Sequence, residues 1–184
     1  MKTMSEQRKG FTVWIVGLGS AGKSTLAQLL EKRLIEGGYP AVLLEPSSRD
    51  ELKTRLMPDL GFDRDGKMEI TRRLGYIARL ITQCEGVAIV PWIAPERWVL
   101  DEVRREIGRF IEVYIECPLD VCKQRDHRGI YVRAVTEGHP VPGVTELWEP
   151  PLNPEVKVDS TKQTPEQELA VIIERLEDLG YLKP

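Results

Sequence analysis

Gly17-Leu18-Gly19-Ser20-Ala21-Gly22-Lys23-Ser24-Thr25 is the stretch on which the reading of this chain turns. It follows Thr12 to Val16, a short β-rich apolar run, and opens an amphipathic segment, Gly22 to Glu36, that ends in Gly37-Gly38. A strand, a glycine-rich turn and a helix in that order, spelling GxxxxGK(S/T), make a P-loop. The glycines let the backbone curl so that its N–H groups and the helix N-terminus face phosphate oxygens. Lys23 then reaches the β- and γ-phosphates, and Ser24 offers its hydroxyl to Mg²⁺. ATP and Mg²⁺ are the expected ligands, held by Gly17, Gly19, Ser20, Ala21, Gly22, Lys23, Ser24 and Thr25. A glycine-rich turn that merely packs a helix on a strand would not require Lys followed by Ser. A dinucleotide-binding loop is disfavoured too, because its third glycine would here be followed at once by lysine.

Outward from the loop, β-rich runs alternate with segments of helical length, the pattern of an α/β protein with a buried parallel sheet. The runs are Thr12 to Val16, Ala41 to Glu45, Val87 to Trp92, Phe110 to Ile115 and Val156 to Val158. They predict a P-loop NTPase fold of the nucleotide-kinase type, with a five-stranded parallel sheet flanked by helices. Helices are expected at Gly22 to Glu36, Ile70 to Cys84, Glu96 to Ile107 and Leu119 to Asp126. A last one opens at Thr164-Pro165, with Thr as N-cap and Pro at the first helical position, and runs to about Leu179. Pro46 to Asp65 and Gly129 to Pro154 break the pattern and are expected to be functional loops. Residues 1–10 are read as a polar tail and 11–184 as one kinase domain.

With 184 residues and 41% apolar content, the chain can bury the core of one domain. A formal charge of −3 offers no global attraction to nucleic acid or to an acidic membrane surface. No apolar run reaches membrane-spanning length, and Met1 to Gly10 lacks the apolar core of a signal peptide. Cys84, Cys117 and Cys122 are an odd set without CxxC spacing, expected as reduced, buried thiols of a cytoplasmic protein. His127 and His139 stand apart and carry no metal signature.

Several further pieces stand in a fixed order: Asp59-Leu60-Gly61-Phe62, Arg72-Arg73-Leu74-Gly75, Ile93-Ala94-Pro95-Glu96-Arg97 and Cys117-Pro118-Leu119-Asp120-Val121-Cys122. Arg125-Asp126, Gly129-Ile130-Tyr131 and Glu149-Pro150-Pro151-Leu152-Asn153-Pro154-Glu155 follow. With these pieces, Phe11 to Ser160 resembles the adenylylsulfate (APS) kinase family. The resemblance implies a cytoplasmic homodimer, active in sulfate assimilation, that moves the γ-phosphoryl of ATP to the 3′-hydroxyl of APS, giving PAPS and ADP. It also implies that Arg72 and Arg97 contact the nucleotide acceptor, that Phe62 stacks on its base, and that Arg125 lies in a lid near ATP. Arg133 is a further candidate for contact with the acceptor.

The match lapses after the second strand, where the family carries Asp-Gly-Asp-Asn, its second aspartate accepting the hydroxyl proton. Here the run is Glu45-Pro46-Ser47-Ser48-Arg49-Asp50. Counting forward from Lys23 puts the base position on Ser47, a poor proton acceptor; counting back from Asp59 puts it on Asp50. Asp50 is the first candidate for the base or for a ligand of the Mg²⁺ hydration shell, and Glu45 the second. Ile70 replaces the family's Asn, the lid's basic pair is reduced to Val132-Arg133, and Pro140-Val141-Pro142-Gly143 replaces Asn-Phe-Thr-Gly. These changes leave open a different nucleotide-type acceptor, with Glu45-Pro46 similar to the Glu-Pro loop of thymidylate kinases. A non-catalytic nucleotide-binding regulatory module is the alternative from another class.

Overall fold

The computed structural model describes residues 9–46 and 51–183. Its elements are β1 (Phe11–Val16), α1 (Lys23–Glu36), β2 (Ala41–Leu43), α2 (Glu51–Leu56), α3 (Arg64–Gln83) and β3 (Val87–Pro91). They continue as α4 (Arg97–Ile107), β4 (Phe110–Glu116), α5 (Leu119–Gln124), α6 (Ile130–Thr136), β5 (Val156–Asp159) and α7 (Pro165–Asp178). The five strands form one sheet in the order β2-β3-β1-β4-β5, with every neighbouring pair parallel. This is the expected P-loop kinase architecture.

All six residues of β1 are buried, because the strand is central and both faces of the sheet are covered. Alternation divides its side chains between two cores. Phe11, Val13 and Ile15 join Leu26, Leu30 and Leu34 of α1 and Ile172 and Leu176 of α7 on one face. Trp14 and Val16 join Ile70, Leu74 and Ala78 of α3 and Leu100 and Val103 of α4 on the other. A Cβ added at Gly75 would lie 2.6 Å from a Val103 methyl, so α3 and α4 touch where a side chain is missing. Trp14 Nε1 donates to Trp92 O at 3.1 Å, tying the central strand to the segment that leaves β3.

Helix α7 opens as its sequence predicts. Thr164 accepts from Gln167 N, the Gln167 side chain accepts from Thr164 N, and Pro165 follows the cap. Helix α3 starts six residues before the expected Ile70, because Asp63 caps it by accepting from Gly66 N at 2.9 Å. The two expected loops also contain the short helices α2 and α6. Cys117 and Cys122 are buried as expected, but Cys84, at the end of α3, is exposed. No helix among the described residues is long and apolar enough to cross a membrane.

Candidate active site

Strand β1 is flanked by β3 and β4, and the P-loop leaves its carboxyl end, where open α/β sheets bind their ligands. Ser20 and Gly22 both have positive φ, 60° and 110°, which curls the loop back before α1. No side chain caps α1, and its first turn holds no acidic residue. Its N-terminal amides are thus left to an anion, and the helix dipole favours one there.

Lys23 Nζ donates to Gly17 O at 2.9 Å and Leu18 O at 2.7 Å, folding the ammonium over the loop. Burial pulls its pKa down to about 8; the Glu45 carboxylate opposes that shift and the Arg128 cation adds to it. A phosphate at the loop would supply the counter-charge the ammonium lacks. Ser24 Oγ donates to the Glu45 carboxylate at the end of β2. A hydroxyl and a carboxylate held together are hard oxygen donors that suit Mg²⁺, which takes its remaining ligands from water and phosphate. No group of three or more His, Cys, Asp or Glu side chains could hold a metal among the described residues. The Ser24–Glu45 pair fits a metal that shares its ligands with a nucleotide's phosphates. Asp50 lies outside the described residues.

The segment after α5 folds over the loop. Tyr131, on α6 and 4% exposed, donates from its hydroxyl to Gly19 O at 2.8 Å, and its own N–H donates to Asp126 Oδ2 at 2.7 Å. Burial raises the Tyr131 pKa well above the ordinary phenol range, so the hydroxyl stays a donor. Cys122 lies beneath; its thiol is pushed up to about 12 by burial and stays neutral. Arg125 is half-buried and donates to Ser160 Oγ at 3.0 Å and Ser160 O at 2.9 Å, spanning the carboxyl ends of α5 and β5.

The residues expected to meet the acceptor fall on the α3–α4 side. Phe62 is 37% exposed and tilted against buried Trp92, with ring centroids 6.4 Å apart. Arg72 lies over the Trp98 ring at 5.3 Å and pairs with Glu102 at 3.4 Å. Trp98 Nε1 donates to Glu96 at 2.6 Å, and Glu96 precedes Arg97, which donates to Pro150 O at 3.0 Å. Trp98 is thus a half-exposed platform for Arg72. Arg133 is exposed on α6 beside Gly129 and is not brought to Phe62, Arg72 or Arg97 by any contact.

Lys67 and Glu146 escaped sequence reading. Lys67, 4% exposed on α3, donates to Pro140 O at 2.8 Å and pairs with Glu146, strapping residues 140–146 to the helix. Burial lowers its pKa while Glu146 pulls the other way. Ile70, in the place of the family's asparagine, is fully buried in the core. No motif flagged Lys67, which lies ahead of the helix expected from Ile70, where a lysine reads as a solvated charge.

The sequence matches the model of the adenylylsulphate kinase family over residues 9–159. A probable adenylyl-sulfate kinase of Pyrococcus abyssi is 41% identical over 175 residues, covering 95% of this chain and 99% of that protein. Among solved structures, the Mycobacterium tuberculosis APS kinase CysC in complex with AMPPNP and APS superposes with a TM-score of 0.84. It is 32% identical, with 92% of this chain and 98% of that chain covered. A hexameric APS kinase from Thiobacillus denitrificans matches with a TM-score of 0.73 at 32% identity, over 99% of this chain and 31% of that one. A P-loop joined to Glu45, a lid segment latched by Tyr131 and agreement along nearly the whole chain converge: this chain belongs to the adenylylsulfate kinase family.

Proposed function

We propose that this protein transfers the γ-phosphoryl of ATP to the 3′-hydroxyl of adenylylsulfate, forming PAPS and ADP. The observation that carries the proposal is the intact loop, with the Lys23 ammonium folded over it and the Ser24–Glu45 pair beside it. Lys23 neutralises charge on the β- and γ-phosphates, and the amides at the start of α1 hold the same oxygens. Mg²⁺ would be held by Ser24 with Glu45 and, when bound, neutralises phosphate oxygens. Glu45 accepts the proton of the acceptor hydroxyl as the new P–O bond forms and the bond to ADP breaks; Asp50 is the other carboxylate for that task. Arg125 orients the ATP base, while Phe62, Arg72 and Arg97 form the acceptor side. Guanidinium forks and an aromatic face suit a phosphosulfate and a purine.

Residues 11–184 act as a single kinase domain, and the working form is a cytoplasmic homodimer engaged in sulfate assimilation. The hexameric relative supports self-association without setting the number of copies. Arg133, on the exposed face of α6, is the weakest acceptor candidate.

The test is to mix purified protein with Mg-ATP and APS and follow ADP and PAPS together, with Lys23→Ala as the blank. PAPS above the blank is the expected result. ATP binding without PAPS would overturn the acceptor assignment and lead to a panel of other nucleotides. Turnover unchanged in Lys23→Ala would overturn the loop assignment itself.

A further inference from the structure

Between β3 and α4 the chain passes through Ala94, which is 5% exposed and has a φ of 38°. A residue with a Cβ enters that left-handed region only where its surroundings hold it there. Helix α4 then opens at Arg97, and the side chain of Glu96, at its N-cap, bonds none of the first amides. Glu149, 52 residues further along than Arg97, takes over that task. Its backbone N–H donates to Pro95 O at 3.3 Å, and its carboxylate Oε2 accepts from Arg97 N at 3.1 Å. The other oxygen, Oε1, lies 3.6 Å from Nη2 of the Arg97 guanidinium, and Pro150 O accepts from Nη1 at 3.0 Å. Glu149 and Pro150 thus fasten the segment directly after the strained residue and hold both the backbone and the side chain of its arginine.

The stretch that carries Glu149 is itself fixed at its far end. Glu155 accepts from Glu112 N at 2.7 Å and from Arg104 Nη2 at 3.0 Å, so the stretch is tied to the first residue and to the last turn of α4. Prolines at 150, 151 and 154 stiffen the chain between the two ties.

We infer that Glu149 is a positioning residue for the acceptor: it holds the start of α4 and the Arg97 guanidinium in one orientation, ready for the acceptor's anionic groups. The inference rests on the proposal that Arg97 contacts the acceptor. A guanidinium carries five N–H donors in a rigid fork, and its contacts with Glu149 and Pro150 leave donors for an anion. The Arg97 and Glu149 side chains are 35% and 30% exposed, so water screens their charges and the pair serves orientation more than ion-pair energy. A fork fixed in advance loses less rotamer freedom when the acceptor binds.

The experiment measures KM for APS, KM for ATP and kcat in wild type, Glu149→Ala, Glu149→Gln, Arg97→Ala and the two double variants, with thermal unfolding beside them. Glu149→Ala should raise KM for APS by about ten-fold, the scale of one hydrogen bond to a charged group, and leave KM for ATP in place. Glu149→Gln keeps an acceptor for Arg97 N and should recover part of the loss. In the Arg97→Ala background the bond to the backbone amide persists, so Glu149→Ala should still lower the unfolding temperature yet no longer change KM for APS. A joint rise in both KM values, or the same rise in KM for APS with and without the Arg97 guanidinium, overturns the inference. If Arg97→Ala leaves KM for APS unchanged while PAPS still forms, the placement of Arg97 fails and the inference with it. Absence of PAPS from wild type overturns the acceptor assignment on which both stand. Should Glu149→Ala not fold, Glu149→Gln decides: it must raise KM for APS when Arg97 is present and not when it is absent.

Discussion

The hydroxyl of Tyr131 donates to the carbonyl of Gly19 at 2.8 Å, so the lid segment and the phosphate loop, 112 residues apart in the chain, share a hydrogen bond. Gly19 has no side chain there; a Cβ would come within 3.3 Å of the same hydroxyl. The segment that carries Tyr131 is therefore seated on the loop's backbone.

Removing that bond tests the coupling. Tyr131→Phe keeps the ring packed and deletes only the donor, at a cost of about 1 kcal/mol. KM for ATP should rise by about five-fold, with kcat changed less. An unchanged KM would mean that the lid does not depend on this bond.

Lys23 should impose a pH limit on ATP binding. Its pKa in the free protein is about 8, and bound phosphate must raise it. Affinity is then full below pH 8 and declines as pH rises above it, because the free protein gives up a proton that the complex must recover. Calorimetry at pH 8.5 to 9 in buffers of different ionisation enthalpy should register proton uptake on binding. Lys23→Arg should show none, and uptake that persists in it would assign the proton elsewhere.

Glu45→Gln separates the two candidate carboxylates. The substitution keeps the shape beside Ser24 and removes the negative charge, so kcat should fall by about 10²-fold or more if Glu45 is the base. Asp50→Asn is the parallel variant. Whichever loses kcat with little change in KM for ATP carries the proton; loss in neither would turn attention to the regulatory-module reading.

The Lys67–Glu146 pair offers a test of stability. With side chains only 5% and 13% exposed, each ion is desolvated and depends on the other. Lys67→Met strands a buried carboxylate and should cost about 3 kcal/mol. Lys67→Met with Glu146→Leu should recover most of that, as measured by urea unfolding in a double-mutant cycle. Equal losses in single and double variants would show that the pair is not coupled.

Local rules were enough for most of the scaffold. Five β-rich runs and the helical segments between them specify a parallel sheet, because a strand buried on both faces must be apolar throughout and its crossovers must be amphipathic. The Thr164-Pro165 helix start and the GxxxxGKS spelling are equally local, since each motif satisfies its backbone within a few residues. Asp63 escaped notice because it stands within a charged stretch that reads as loop, with no proline behind it to mark the first helical position as Pro165 does. The short helices α2 and α6 lie in proline- or charge-rich stretches with too few turns for a hydrophobic period to show.

What remained for the tertiary structure was every relation between distant charges. The sequence by itself determined the sheet, the phosphate loop, the lysine and the hydroxyl, because these depend on neighbours in the chain. Only the fold decided that Glu45 reaches Ser24, that Tyr131 seats on Gly19, that Lys67 is strapped to Glu146, and that Glu168 is buried. The physical reason is desolvation: a charged side chain looks the same in sequence whether water or protein surrounds it. Its chemistry is set only when packing removes the water and supplies, or withholds, a partner.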